Sequence, residues 1–222
     1  MKYKKLIENF SYLSLLHIFS IAIPLLTFPY LVKTLGQETY GLVIFAQAVV
    51  GYLAVFTGFG FGLSATKLVS INRHDTNKLS EIFSSVTTIK IFLLAVSIII
   101  LYVITHFLPQ AKGYEDLFYL SLWFCFYDII FPGWYFQGIE NMKWITYISL
   151  IMRIIFLILI FLFIKNESDY LLVPIFNGIG ALISGVFALF IIRKDKIKFI
   201  FQPMKVLRFY FFDAITIFYS EL

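Results

Sequence analysis

The stretch IFSSVTTIKIFLLAVSIIILYVITHF, residues 82–107, decides the fold of this chain. Lys90 is the only residue in it that carries a charge at neutral pH, with histidine taken as neutral. As an α-helix rising 1.5 Å per residue, the stretch would extend about 39 Å, more than the roughly 30 Å thickness of a bilayer's hydrocarbon layer. It therefore predicts a membrane-spanning helix.

The composition of the whole chain is that of an integral membrane protein. Of its 222 residues, 60% are apolar and 14% are charged, and the mean hydropathy is +0.88. Soluble domains have roughly 45–50% apolar and about 25% charged residues, so their surfaces could not carry this many apolar side chains. The 27 Phe and 14 Tyr with only 6 Pro also exclude intrinsic disorder. One cysteine, Cys125, gives no disulfide framework.

Uncharged or weakly charged runs on either side predict five further spans. The six spans lie at about residues 9–32, 40–64, 82–107, 117–137, 144–164 and 170–192. The fold class is therefore all-α, with residues 1–192 forming one six-helix transmembrane lobe. Residues 193–208 interleave bases with aliphatic and aromatic residues, which predicts an amphipathic cytoplasmic linker lying on the anionic leaflet. Residues 209–222 are apolar but too short to span, and we expect them to be the truncated start of a seventh helix.

The distribution of basic residues predicts the orientation. Of the 18 Lys and Arg residues, only Lys33, Lys112 and Lys165 fall in loops on one side, and Lys90 and Arg153 fall inside spans. The remainder lie on the other side, so the positive-inside rule places the N-terminus and the segment after the sixth span in the cytoplasm. The N-terminus imitates a signal peptide, but its apolar run is too long and no cleavage pattern follows it, so we expect the first span to be retained.

Three ionisable residues lie at a similar depth within the spans. Counted from the cytoplasmic ends of their helices, Lys90, Asp128 and Arg153 are roughly 12–15 Å deep, near the middle of the bilayer. One interpretation is a structural ion pair between Asp128 and either Lys90 or Arg153. The other is a polar cavity with a net positive charge, suited to a phosphate-bearing substrate, in which Asp128 could also titrate.

Other polar positions allow two interpretations each. His17 lies on a polar stripe of the first span, where it is either a proton-carrying group or a hydrogen-bonded packing residue. Small residues at spacing four follow Gln47 on the second span and Asn177 on the sixth, which is more typical of close helix contacts than of sites. No Walker sequence and no cluster of metal ligands occurs, so we expect no cofactor and no metal. A nucleic-acid partner would need a soluble module that the sequence lacks.

Three stretches together resemble a known family. They are PLLTFPYLVKTLG with YGLVIFAQ at residues 24–36 and 40–47, LSATK with IFSSV at residues 63–67 and 82–86, and FPGWYFQGIENM at residues 131–142. They resemble the N-terminal half of the Wzx-like polysaccharide flippases, in the multidrug/oligosaccharidyl-lipid/polysaccharide exporter superfamily. The resemblance extends from about residue 9 to residue 163, and more loosely to the end.

The resemblance implies a transporter of the bacterial inner membrane, with two six-helix lobes around a central cavity that work by alternating access. It implies a substrate of oligosaccharide on an undecaprenyl pyrophosphate carrier, moved to the periplasmic leaflet for O-antigen-like surface polysaccharide. Lys33, Lys90 and Arg153 become candidates to contact the pyrophosphate or the glycan. The implied partners are the lipid-linked oligosaccharide, membrane lipids, a second lobe and the polysaccharide polymerase machinery.

The chain departs from that family by having half the expected spans, so we expect a partial N-terminal lobe whose activity alone is doubtful. Two alternatives remain open from the sequence. One is a multidrug-type antiporter with the same fold, and the other is a membrane scaffold in glycan assembly that transports nothing. An enzyme is not expected, because no loop is long enough to carry a catalytic module.

Overall fold

Six helical stretches of the chain are long and apolar enough to cross a bilayer. The computed structural model describes the backbone of residues 2–221 and the side chains of residues 7–217, and all regular structure in that part is helical. The six stretches are Ile7–Leu35, Gln37–Ile71, Thr76–Phe107, Glu115–Gly138, Met142–Phe163 and Glu167–Lys194. The predicted all-α fold with six spans is thereby confirmed.

Ten α-helices build these spans and the segment that follows them. They are α1 (Lys2–Leu35), α2 (Gln37–Gly58), α3 (Phe61–Ile71), α4 (Thr76–Phe107), α5 (Glu115–Leu120), α6 (Trp123–Ile130), α7 (Gly133–Gly138), α8 (Met142–Phe163), α9 (Leu172–Lys194) and α10 (Met204–Glu221). Many large apolar side chains remain exposed, among them Phe92 at 66% and Phe10 at 71%. Such a surface is stable in lipid, where an exposed apolar side chain costs nothing.

The second span is broken, although its sequence predicts one continuous helix. Helix α2 ends at Gly58, and α3 begins at Phe61. Phe59 and Gly60 between them have φ angles of 45° and 68°. Gly60 reaches this left-handed region without strain, which is the usual way to end a helix. Helical structure continues past residue 64, the predicted end of this span, as far as Ile71.

The fourth span is also broken, into α5, α6 and α7. The second break falls at Phe131 and Pro132, where φ and ψ of Phe131 are −110° and 86°. Proline has no N–H to donate and disfavours helical dihedrals at the residue before it, so α6 must end there. Pro24 and Pro29 do not have this effect, since α1 continues through both.

The segment after the sixth span, residues 193–208, was predicted as an amphipathic linker, and it is helical only at residues 193–194 and 204–208. Residues 197–203 contain no helix, and their backbone instead pairs with serine hydroxyls of α4. Lys198 N–H donates to Ser80 Oγ over 3.1 Å, and Ile200 N–H donates to Ser84 Oγ over 2.9 Å. Helix α10 then begins at Met204, five residues before the predicted start of the seventh helix, and it packs against α4 and α3. Residue 222 lies outside the described residues.

Candidate functional site

Lys90 and Asp128 form an ion pair between α4 and α6. Lys90 Nζ lies 2.6 Å from Asp128 Oδ2 and also donates to the Asp128 carbonyl oxygen over 3.3 Å. The Lys90 side chain is 2% exposed, and the Asp128 side chain is 39% exposed. A buried cation is stable only when a counter-charge and acceptors surround it, and Asp128 supplies both. The structure thus agrees with the ion-pair interpretation, and Lys90 is the partner.

The carboxylate of Asp128 also borders an open cleft of about 420 Å³. The cleft lies where the second and fourth spans are broken, and its walls include Gly58, Gly60 and Gln137. A Cβ atom on Gly58 would lie 3.8 Å from Asp128 Oδ2, which is an ordinary van der Waals distance, so Gly58 packs beside the carboxylate. The cleft therefore offers a carboxylate, an amide and bare backbone to a ligand.

Arg153 lies apart from this pair, in a second cavity. That cavity has a volume of about 400 Å³ and is enclosed by residues of α1, α2, α6, α8 and α9. Arg153 lines it from α8 and forms no hydrogen bond or salt bridge with the described residues. The three mid-membrane charges predicted from the sequence therefore do not form one cluster: two of them pair, and the third faces a separate space.

The side chains of Lys33 and His17 are both exposed on α1. Lys33 is exposed in the last turn of that helix, and His17 is exposed near its middle. Neither lines the Asp128 cleft or the Arg153 cavity. The imidazole of His17 makes no hydrogen bond within the described residues, and both interpretations of this residue stay predictions.

Several polar residues of the Arg153 cavity were not recognised from the sequence. Gln47, Trp123 and Asn177 all line it, although the sequence favoured helix contacts for the faces that carry Gln47 and Asn177. The contact interpretation holds for Gly185, where a Cβ atom would come within 2.5 Å of the Ile130 side chain. It fails for Gly51, which has no such neighbour within 4 Å. The amide side chains of Gln47 and Asn177 inside apolar spans are the sequence feature that indicates a polar cavity here.

Six apolar spans with ionisable groups facing cavities at membrane depth define a multi-pass integral membrane protein. The chain belongs to the polysaccharide biosynthesis protein family, whose model matches residues 6–222. Two curated relatives, from Escherichia coli (strain K12) and Shigella dysenteriae, both carry the name "Putative O-antigen transporter". The first is 33% identical over 83% of this chain and 45% of its own length. The second is 28% identical over 85% of this chain and 47% of its own length.

The chain thus spans about half the length of the curated relatives it matches. No solved structure matches it.

Proposed function

We propose that this chain is the first lobe of a flippase that moves undecaprenyl-pyrophosphate-linked oligosaccharide from the cytoplasmic to the periplasmic leaflet. The observation that carries the proposal is the 33% identity to an O-antigen transporter over 83% of the chain. A second lobe, in the same polypeptide or in another one, would complete the central cavity. The N-terminus is proposed to lie in the cytoplasm, from the distribution of basic residues.

The physical problem for such a protein is the passage of a charged, hydroxyl-rich head group through hydrocarbon. Groups of this kind cross only along a surface that replaces water. Asp128 and Gln137 border an open cleft and carry the carboxylate and amide groups that hydrogen-bond sugar hydroxyls. We assign the glycan to this cleft, with Lys90 as the residue that positions Asp128.

The breaks in the second and fourth spans support an alternating-access cycle. They fall at Phe59–Gly60 and at Phe131–Pro132, and both border or adjoin the Asp128 cleft. Element ends of this kind can absorb changes in φ and ψ while the helices on each side stay rigid.

Lys33 is the proposed contact for the pyrophosphate. It is an exposed cation in the last turn of α1, at the end of that helix opposite the cytoplasmic N-terminus. A lysine there can meet an anionic head group as it reaches the periplasmic interface.

Complementation tests this function. A strain lacking its O-antigen flippase would express either the 222-residue chain or the full extent of the reading frame that encodes it, with surface polysaccharide as the readout. We expect the chain together with a second lobe to restore the polysaccharide, and Asp128→Ala to reduce it when export is normalised to the amount of protein in the membrane. Restoration of drug resistance without polysaccharide would instead indicate a multidrug antiporter. Full export by Lys33→Gln, Lys90→Met and Asp128→Ala, each alone, would indicate a scaffold.

A further inference from the structure

Phe59, at the break between α2 and α3, holds a backbone conformation that a bulky residue rarely adopts. Its φ of 45° and ψ of 43° lie in the left-handed region, where the Cβ atom of any residue except glycine is crowded by the backbone. Gly60 takes the same region without this crowding. A strained conformation of this kind persists only where the surrounding structure holds it. The form of the break therefore depends on what packs around Phe59.

Part of that packing comes from α10, which lies beyond the sixth span in the chain. The rings of Phe59 and Phe211 are stacked, with their centroids 4.9 Å apart and 15° between their planes. Phe56 and Phe61, on the neighbouring turns, contact the same ring at centroid distances of 6.3 Å. Phe59 is 8% exposed as a result. Helix α10 thus completes the enclosure of the strained residue.

Two hydrogen bonds to carboxylates fix α10 on either side of Phe211. The Tyr210 hydroxyl donates to Glu81 Oε1 of α4 over 2.9 Å. The Ser64 hydroxyl, in the first turn of α3, donates to Asp213 Oδ2 over 2.5 Å. Tyr210 and Ser64 are each 1% exposed, and hydrogen bonds to an ionised group are stronger than those between neutral groups. Helix α10 is therefore attached to α3 directly after the break, and to α4 as well.

The break that α10 contacts also forms part of the wall of the Asp128 cleft. Phe59 and Gly60 line this cleft, as does Leu63 from the first turn of α3. A change in the φ and ψ angles of the two break residues would turn α3 relative to α2, because element ends absorb such changes while the helices stay rigid. The space beside Asp128 would change with it.

We propose that α10 locks the break between α2 and α3, with Phe211 and Asp213 as positioning residues for the Asp128 cleft. While α10 is docked, these two side chains hold Phe59 and Ser64, and the cleft keeps its shape. When α10 moves away, the strained conformation loses its support and α3 is free to turn. The proposal rests on the proposed function only for what the cleft holds: there, the lock would couple movement of the segment that leads into the second lobe to the grip on the glycan.

Hydrogen–deuterium exchange of the purified 222-residue chain in an uncharged detergent, read by mass spectrometry, tests the lock. Backbone amides on both sides of the break donate to helix carbonyl oxygens, so exchange in residues 59–64 reports its opening. Phe211→Ala removes the stacked ring and should accelerate this exchange roughly fivefold or more. Phe212→Ala is the matched control, because Phe212 is the next residue of α10 and is 50% exposed. It should leave exchange in residues 59–64 unchanged.

Variants of Asp213 test the same lock without touching the aromatic packing. Asp213→Ala removes the acceptor of the Ser64 hydroxyl and should accelerate exchange in residues 59–64 several-fold. Asp213→Asn keeps an acceptor oxygen and should accelerate it less. These variants keep the test decisive if Phe211→Ala does not fold.

The amide of Tyr40 separates a local lock from a general loss of stability. It lies near the other end of α2 and donates to the Gly36 carbonyl oxygen over 3.1 Å, so its exchange should not change in any variant. Unchanged exchange in residues 59–64 in both alanine variants, or equal acceleration at Tyr40, would overturn the proposal. Equal acceleration by Phe212→Ala would also overturn it. No substrate enters this measurement, so loss of polysaccharide export with an intact lock would count against the transport function alone.

Discussion

Lys90 and Asp128 are 2.6 Å apart, but they are buried to very different degrees. The side chain of Lys90 is 2% exposed and that of Asp128 is 39% exposed. Solvent or lipid head groups can therefore reach the carboxylate, whereas the ammonium group depends on its partner. Replacing Asp128 and replacing Lys90 should therefore change the stability of the protein by different amounts.

Replacing Asp128 should destabilise the protein more than replacing Lys90. Asp128→Ala leaves an unpaired, buried ammonium group, and breaking a fully buried pair costs roughly 3–5 kcal/mol, which is an upper bound for a pair that is partly exposed. Lys90→Met leaves a carboxylate that can still be solvated from the cleft. Denaturant unfolding in detergent, followed by circular dichroism, measures both. The double variant should recover part of the loss, and single effects that simply add would contradict the pairing.

Gly138→Ala should disrupt the contact between α7 and α3. A Cβ atom at this position would come within 2.5 Å of Val69 Cγ1 and 2.9 Å of the Thr66 carbonyl oxygen. Because one of these neighbours is backbone, relief requires the helices to separate, and overpacking of this kind costs about 1–3 kcal/mol. We expect a lower unfolding temperature.

Gly41→Ala is the matched control for that substitution. Gly41 lies within α2 and would place its Cβ atom in open space, with nothing within 4 Å. Alanine is favoured over glycine in a helix by about 0.5–1 kcal/mol, so this variant should be neutral or stabilised. Equal destabilisation by both substitutions would show that glycine flexibility, and not the close contact, is what matters.

Ser84→Ala should release the segment between α9 and α10. The Ser84 hydroxyl donates to the Ser80 carbonyl oxygen over 2.6 Å and accepts from Ile200 N–H over 2.9 Å. Loss of a hydrogen bond worth about 1 kcal/mol should lower amide protection at Ile200 roughly fivefold. Hydrogen–deuterium exchange with mass spectrometry would measure it.

Ser97→Ala is the control, since it removes another fully buried serine from the same helix. Ser97 Oγ has no hydrogen-bond partner among the described residues. Its replacement should therefore leave exchange near residue 200 unchanged and keep or slightly raise stability. Faster exchange at Ile200 in this variant would mean that any change in α4, not the hydroxyl of Ser84, controls the segment.

Thiol labelling should report opposite sides of the membrane for the two ends of α4. His74 and Lys112 are exposed in the turns before and after this helix, and Cys125 is buried. In a Cys125→Ala background, Lys112→Cys should react with a membrane-impermeant reagent in intact spheroplasts, and His74→Cys should react only after permeabilisation. The wild-type chain should remain unlabelled. The reverse pattern would place the N-terminus in the periplasm.

The number of spans was predictable because hydrophobicity is a local property. Each span is an uncharged or nearly uncharged run, and no knowledge of its neighbours is needed to recognise it. The positions at which the second and fourth spans are broken were harder to predict from the sequence. Pro132 lies at a break between two helices, yet Pro24 and Pro29 look the same in sequence and interrupt nothing. Whether a proline ends a helix depends on what its neighbours offer to the freed carbonyl groups.

The sequence by itself determined that this is a six-span helical membrane protein with three ionisable residues inside its apolar spans, because residue type and run length decide both facts. Only the tertiary structure decided which of the charges meet. Lys90, on α4, and Asp128, on α6, are brought together by packing, whereas Arg153, on α8, faces another cavity. Depth along a helix can be counted from a sequence. Rotation about the helix axis and the choice of neighbour are set by interhelical contacts between residues far apart in the chain.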